Sequence, residues 1–331
     1  MMETLLPVVF MLIIGLALLV YVVLDGYDLG VGILSLFASE KERDMMMASI
    51  GPFWDANETW IVLGVGVLLI AFPSAYGIVL STLYLPVTVM LMGLVLRGVA
   101  FDFRVKAGDK YKRRWDHIFF IGSFIASASQ GWMLGSYITG LSSSMMSLFF
   151  SVLIALTLPA LYIMLGAAWL MMKAEGELFD KALSWARFAV WPMGLSLLLV
   201  SISTPIVSEE IARKWFTLPN AIGLLPIPVT CVFAYITIFW LVRHSKILHQ
   251  GYAWIIFACL VIICIMASLG LAYSIFPYII IGKLTIWTAA SATDSLQFIL
   301  IGILVTLPMI MIYSIFVYRV FRGKVKELSY E

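Results

Sequence analysis

Nine apolar runs dominate the sequence, each about long enough to cross the hydrocarbon core of a bilayer, which takes about 20 residues of helix. Charged residues, glycines, prolines and serines separate one run from the next. The runs cover residues 5–37, 45–72, 77–100, 117–137, 146–172, 185–203, 222–242, 252–273 and 296–318. The pattern predicts nine transmembrane helices that pack as helical bundles.

The composition supports the same class of protein. Of the 331 residues, 63% are hydrophobic and 12% are charged, and the mean hydropathy is +1.04, which is typical of an all-α, polytopic membrane protein. No connection is long enough for a soluble domain, so we expect residues 1–331 to form a single transmembrane domain. The start of the chain lacks a basic segment followed by a cleavage site, so we expect the first helix to be retained.

The basic residues are distributed unequally between the two sets of connections. Seventeen of the 21 lysines and arginines follow spans 1, 3, 5 and 7 or lie in the C-terminal tail, whereas Arg213, Lys214 and Lys283 lie in the other connections. Because cytoplasmic loops are rich in Lys and Arg, we expect the N-terminus outside and the C-terminus in the cytoplasm. The formal net charge of +2 gives no indication of a nucleic-acid partner.

Residues 204–221 form one of the two longest connections and contain the sequence EEIARKWF. Its charges can separate from Ile211, Trp215 and Phe216 onto the two faces of a short interfacial helix. An ordered loop fits the same residues, and the sequence leaves both interpretations open.

Acidic and amide residues interrupt two apolar runs near the start of the chain. They are Asp25 and Asp28 in LDGYDLGVG, and Asp55, Asn57 and Glu58 in GPFWDANETW. An isolated charge in hydrocarbon costs about 2.5 to 3.5 kcal/mol. We therefore expect these side chains to face one another, a partner or water.

The spacing predicts that the acids meet at one level of the predicted cytoplasmic half. Asp28 lies nine residues before the end of span 1, and Asp55 lies ten residues after the start of span 2, so both are roughly 13 to 15 Å from the same end. Asp25 shares a helix face with Asp28, three residues away. Glu58 stands in the same relation to Asp55.

Span 3 adds Arg97 and, farther toward the same end, Asp102 in RGVAFDFR. Two roles stay open from spacing alone: an ion pair of Arg97 with Asp25 that locks helices together, and a proton-handling site formed by the surplus acids. Gly26 and Gly30 form a small-residue pair in span 1, so we expect another helix to pack closely against this turn.

The sequence offers no recognisable redox or metal site. Its three histidines, His117, His244 and His249, lie at the start of a span or in a loop, whereas haem in membrane helices is usually held by deeper histidine or methionine ligands. The three cysteines lie in apolar runs, and their odd number argues against a disulfide framework. No nucleotide-binding or zinc motif is present. We therefore expect neither haem ligands nor metal ligands in this chain.

The motifs GYDLGVG, GPFWDANETW and RGVAFDFR, with FPYIIIGKLTIWTAAS and VYRVFRGK near the end, resemble subunit II of the bd-type quinol oxidases of prokaryotic cytoplasmic membranes. Their order and spacing extend over nearly the whole chain. The combination of WDANETW with GVAFDFR is most similar to the cyanide-insensitive branch. The sequence departs from many relatives within residues 282–291, where Thr288 follows Trp287, and at Gly282 and Lys283, where a Pro-Pro pair is common.

The resemblance implies a heterodimer in which subunit I holds two haems b, one haem d and the quinol-oxidising loop, while this subunit holds no haem. Such a complex reduces O2 to water with quinol and contributes to the proton motive force. In the family, acids matching Asp55 and Asp102 line a path for cytoplasmic protons, with Asp28 and Arg97 nearby, and we expect Glu58 to take part. Members differ in whether subunit II holds a structural quinone, and the sequence does not show whether accessory subunits join.

Two other functions compete with this one. A secondary transporter could use the same acids as a proton or cation relay, but such proteins typically show inverted repeats and broken helices at the midplane, which we do not find in the sequence. A purely structural membrane subunit could use the acids only to hold its helices together.

Overall fold

The computed structural model describes residues 2–325, except for the side chains of residues 109 and 110. Lys326, counted above in the C-terminal tail, lies outside the described residues. Within them, nine helices are long and apolar enough to span a membrane, which confirms the predicted number of spans and the all-α class.

The helices in chain order are α1 (Met2–Leu34), α2 (Glu40–Ile50), α3 (Trp54–Ala71), α4 (Pro73–Thr82), α5 (Tyr84–Lys106), α6 (Asp109–Ile138), α7 (Met145–Lys173), α8 (Gly176–Val207), α9 (Glu209–Phe216), α10 (Asn220–Leu224), α11 (Pro226–Leu241), α12 (Ser245–Ile247), α13 (Trp254–Ile275), α14 (Ile286–Ala289) and α15 (Thr293–Val320). Two short irregular helices, Ser35–Phe37 and Leu248–Tyr252, extend α1 and α12. The strands β1 (Tyr278–Ile280) and β2 (Leu284–Thr285) form a small antiparallel hairpin.

Span 2 begins later than the sequence predicts. The apolar run that starts at residue 45 is divided into α2, which ends at Ile50, and α3, which begins at Trp54. Pro52 lies at this junction, and it has no N–H with which to continue a helix. Asp55 therefore lies in the first turn of α3, and the depth predicted for it, ten residues inside a span, is wrong.

Helix α1 is central to one half of the bundle, where it packs against α3, α6 and α7. Its contact with α7 is unusually close. A Cβ atom added at Gly30 would lie 1.8 Å from the backbone oxygen of Tyr162, and one added at Gly26 would lie 2.8 Å from the ring of the same tyrosine. The helix that approaches the glycine pair is therefore α7, and the glycines allow it because they have no side chain.

The basic connections meet at one end of the bundle. Lys181, after α7, contacts Glu42 of α2 at 2.7 Å, and the Lys173 ammonium donates to the backbone oxygen of Phe321 at 2.7 Å. His249 contacts Asp180 at 3.0 Å, so the connection after α11 joins the same group. This end is the predicted cytoplasmic end, and its orientation in the membrane stays a prediction.

The opposite end holds the hairpin and α9. Residues 209–216 are helical, so the helix was the correct interpretation of EEIARKWF. Ile211 is buried, and the Trp215 indole donates to the Ser274 hydroxyl at 2.8 Å. Gly282 has a φ of +69° in the hairpin turn, a conformation that favours glycine.

Candidate functional site

Arg97 of α5 joins three helices through two carboxylates. Its guanidinium donates to Asp25 of α1 at 2.6 Å and also to Glu58 of α3. The Arg97 side chain is 2% exposed and the Asp25 side chain is fully buried, whereas the Glu58 side chain is 26% exposed. With all three groups ionised, the cluster carries one net negative charge, so it satisfies the arginine and leaves a surplus of acid.

Asn57 of α3 organises a second polar group beside the first. Its amide nitrogen donates to the Asp28 carboxylate at 2.8 Å and to the Tyr27 hydroxyl at 2.9 Å. The Tyr318 hydroxyl of α15 donates to the Asn57 amide oxygen at 3.0 Å and lies 2.6 Å from the Tyr27 hydroxyl. One amide therefore links α1, α3 and α15. The cross-helix neighbour of Asp28 is thus Asn57, which was expected to face the acids but was not assigned a particular partner.

A small cavity lies between these groups and the predicted cytoplasmic end. Its volume is about 10 Å³, and it is lined by Asp28, Ile50, Trp54, Arg97, Gly98, Phe101 and Phe119. That is about the smallest volume that holds one water molecule. Asp28 Oδ1 and Arg97 Nε are buried and have no protein hydrogen-bond partner among residues 2–325. Because buried polar atoms are usually paired and both residues line the cavity, its volume suits a water molecule beside them.

Asp55 and Asp102 are exposed on the surface of the chain. Each directly follows an aromatic residue that lines the cavity, and these two rings, Trp54 and Phe101, lie 5.6 Å apart. The two exposed acids are therefore close to the ring pair that closes the cavity on this side. Of the four predicted proton-path residues, the structure buries Asp28, half-buries Glu58, and leaves these two on the surface.

A further ionic cluster lies at the same end, and the sequence did not predict it. Asp116 of α6 is buried and accepts from both Arg104 of α5 and Arg43 of α2, the latter at 2.6 Å. Arg104 also contacts Asp44 at 2.6 Å. The cluster joins α2, α5 and α6 just beyond Asp102. The unusual density of charge in residues 104–116 was the signal that could have indicated it.

A third polar group extends away from that end. The Gln130 amide of α6 donates to the Tyr21 hydroxyl at 2.7 Å and accepts from the Tyr162 hydroxyl at 2.6 Å. Tyr21 lies one turn before Asp25 on α1, so this group continues the buried polar region into α6 and α7. A lone glutamine in an apolar run was its signal in the sequence.

The described residues contain no group of three or more His, Cys, Asp or Glu side chains that could hold a metal ion. His117, His244 and His249 are all exposed, and each ring nitrogen Nδ1 lies within 2.8 Å of a backbone oxygen of its own helical turn. The three cysteines are free thiols. The chemistry of this site is therefore that of carboxylates, an arginine and hydroxyl groups.

Comparison with known proteins gives consistent matches over nearly the whole chain. The model of the family described as cytochrome bd terminal oxidase subunit II matches residues 6–321. Cytochrome bd-I ubiquinol oxidase subunit 2 of Escherichia coli (strain K12) is 27% identical, over 97% of this chain and 95% of the relative. Cytochrome bd ubiquinol oxidase subunit 2 of Bacillus subtilis (strain 168) is also 27% identical, over 92% of each.

A solved structure shows the same fold. The structure of bd oxidase from Geobacillus thermodenitrificans contains a chain that matches with a TM-score of 0.77 and 17% sequence identity, and the match covers 96% of this chain and 98% of that chain.

Proposed function

The chain belongs to the cytochrome bd terminal oxidase subunit II family, and from this membership we propose that it supports a haem-bearing subunit I and conducts cytoplasmic protons to it. The family forms part of a haem-containing quinol oxidase, an oxidoreductase complex. In the proposal, subunit I holds two haems b and one haem d and reduces O2 to water with quinol, and this chain holds none. The assembly lies in the cytoplasmic membrane of a prokaryote.

The observation that carries the proton path is the cavity beside Asp28. A fully buried carboxylate has one oxygen without a protein partner, and that carboxylate lines a water-sized space next to Arg97. A single arginine does not need three acids, and surplus acid at a dry site is relieved when a proton binds. The site is therefore suited to proton exchange with a nearby relay.

We assign the transfer of protons to the two exposed acids, Asp55 and Asp102. Asp102 lies one turn before the end of α5, and Asp55 lies in the first turn of α3. Val62 of α3 and Val95 of α5 are exposed on the same helix faces as these acids. Because acids that face lipid are costly, we assign these faces to the interface with subunit I. Protons would then pass from the cytoplasm to Asp102 and on to Asp55 between the two subunits. Behind them, Asp28 and the cluster of Arg97, Asp25 and Glu58 set the local electrostatic field.

The experiment uses the purified complex of both subunits with the substitutions Asp55→Asn and Asp102→Asn. We expect the rate of O2 consumption with quinol to fall about tenfold or more, because positioned proton-transfer groups contribute at least this much, while the visible haem spectrum stays unchanged. Glu177→Gln is the matched control, since Glu177 is an exposed acid at the same end on α8 and should retain the wild-type rate.

A purely structural role predicts a different result. If both asparagine variants consume O2 at the wild-type rate with a full haem content, the acids hold no part of the proton path and the chain acts as a scaffold. The ion pairs of Arg97 also support a helix-locking role. The unfolding free energy of the Arg97→Gln variant tests that role separately.

A further inference from the structure

A surface groove of about 360 Å³ lies where α5 ends and α6 begins, at the predicted cytoplasmic end. Lys106 and Arg114 supply its charge, and Phe103, Tyr111 and Trp115 supply much of its walls. The Phe103 side chain is 53% exposed, and its ring lies 5.4 Å from that of Trp115. The groove therefore combines two cations with an exposed, largely apolar aromatic surface.

The charge of the groove is strongly positive. Among the side chains that the structure describes, none of those that line it is acidic. The segment 104–116 contains six basic residues and two acidic ones. Asp116 is paired with Arg104 inside the protein, which leaves five basic residues and one acidic residue, Asp109, in the segment. Helix α6 begins at Asp109, so the positive end of its backbone dipole points to the same region. An anion is thus the ligand that the groove fits.

We propose that this groove binds the headgroup of an anionic phospholipid. The membrane-spanning helix α5 ends at Lys106, so we expect the headgroup region there, and basic pockets between transmembrane helices on the cytoplasmic side suit anionic headgroups. The Arg114 guanidinium can hold a phosphate with two parallel hydrogen bonds. Tyr111 and Trp115 are residue types that favour the membrane interface.

The apolar walls identify a lipid as the source of the phosphate. A free phosphate ion gains nothing from contact with Phe103 and Ile118, whereas the glycerol and first methylene groups of a phospholipid bury apolar area against them. Both residues continue the outer surfaces of α5 and α6 toward the bilayer core. The groove adjoins Asp102 but contains none of the residues assigned to the proton path, and lipid binding there does not depend on the proposed function.

The test compares lipids that remain on the purified two-subunit complex. The complex is exchanged into nanodiscs that contain phosphatidylglycerol and phosphatidylcholine in equal amounts, extracted in mild detergent, and examined by native mass spectrometry. The double variant Lys106→Gln with Arg114→Gln removes both cations of the groove. The control Arg113→Gln with Lys246→Gln makes the same change of charge at two exposed residues outside it.

We expect the wild-type complex and the control to retain phosphatidylglycerol in preference to phosphatidylcholine. The groove variant should bind phosphatidylglycerol about thirtyfold more weakly, because each basic group near the headgroups contributes about fivefold. Equal retention of the two lipids by the wild type overturns the proposal, as does unchanged phosphatidylglycerol retention by the groove variant. Displacement of the lipid by millimolar inorganic phosphate also overturns it, since that result assigns the groove to free anions.

Discussion

Replacing Arg97 by glutamine removes the cation that Asp25 and Glu58 share. Asp25 is fully buried, so its carboxylate is left without a cation and is either charged at high cost or neutralised by a proton. Breaking a buried ion pair in this way costs about 3 to 5 kcal/mol. Glu58 is partly exposed, so water can solvate its carboxylate, and it adds little to the loss of stability. Against a total stability of about 5 to 15 kcal/mol, Arg97→Gln should be among the most damaging single changes in the chain.

The partner substitution should be milder. Asp25→Asn leaves Arg97 with Glu58 as its counter-ion, so we expect a loss of about 1 to 3 kcal/mol, the cost of a weakened buried hydrogen bond. When Asp25→Asn is added to Arg97→Gln, no uncompensated charge is left at Asp25. The double variant should therefore lose less stability than the sum of the two single losses, with a coupling energy of about 1 to 3 kcal/mol.

The assay is chemical unfolding of the purified two-subunit complex in detergent, followed by circular dichroism, with the haem spectrum recorded to confirm assembly. Arg113→Gln, at an exposed arginine, is the control for loss of one positive charge and should change stability by about 0.5 kcal/mol or less. A loss below about 1 kcal/mol for Arg97→Gln, or strictly additive effects in the double variant, would mean that Arg97 does not neutralise a buried charge at Asp25.

Three further predictions follow from the packing and the charges. Gly30→Ala places a Cβ atom against the Tyr162 backbone oxygen, so the yield of assembled, haem-loaded complex should fall about tenfold or more, whereas Gly15→Ala, with open space around it, should leave the yield unchanged. Tyr318→Phe removes the hydrogen bond to Asn57 and should cost about 1 kcal/mol of unfolding free energy, while Tyr313→Phe at an exposed ring should cost none. Burial raises the pKa of Glu42, but the Lys181 ammonium and the Ser39 backbone N–H lower it by more, so the net pKa is lowered. The stabilisation is present above the ordinary Glu pKa, about 4.3, and is lost as the pH falls through the lowered folded-state value. Glu42→Gln should therefore reduce the melting temperature at pH 7, and its difference from the wild type should shrink as the pH falls below the ordinary Glu pKa.

The membrane-spanning helices were predictable because a long apolar run in a membrane has few stable structures other than a helix. The positions at which prolines interrupt the helices were not predictable. Pro159 and Pro308 lie inside the continuous helices α7 and α15, whereas Pro52 separates α2 from α3. In a bundle, neighbouring helices can satisfy the backbone groups that a proline frees, so its effect depends on packing that the sequence does not display. Because Met45 to Met47 are apolar, the sequence pattern assigned the second half of α2 to span 2.

The site was predictable where charge alone decides the partner. The contact of Arg97 with Asp25 follows from the high cost of either charge in hydrocarbon. The central position of Asn57 does not follow, because an amide carries no charge that demands a particular neighbour. The pairing of Asp116 with Arg43 depends on two connections that meet only in the folded chain. The exposure of Asp55 likewise reflects a helix boundary set by Pro52.

In the proposed function this chain carries protons to a catalyst held by another subunit, and proton uptake during a single turnover measures that transfer. The fully reduced complex is mixed with O2, and a pH-sensitive dye reports the protons taken up while haem absorbance reports electron transfer. In the Asp102→Asn complex we expect the first electron transfer to keep its wild-type rate while proton uptake slows about tenfold or more. Proton uptake at the wild-type rate in this variant and in Asp55→Asn would show that neither acid lies on the proton path.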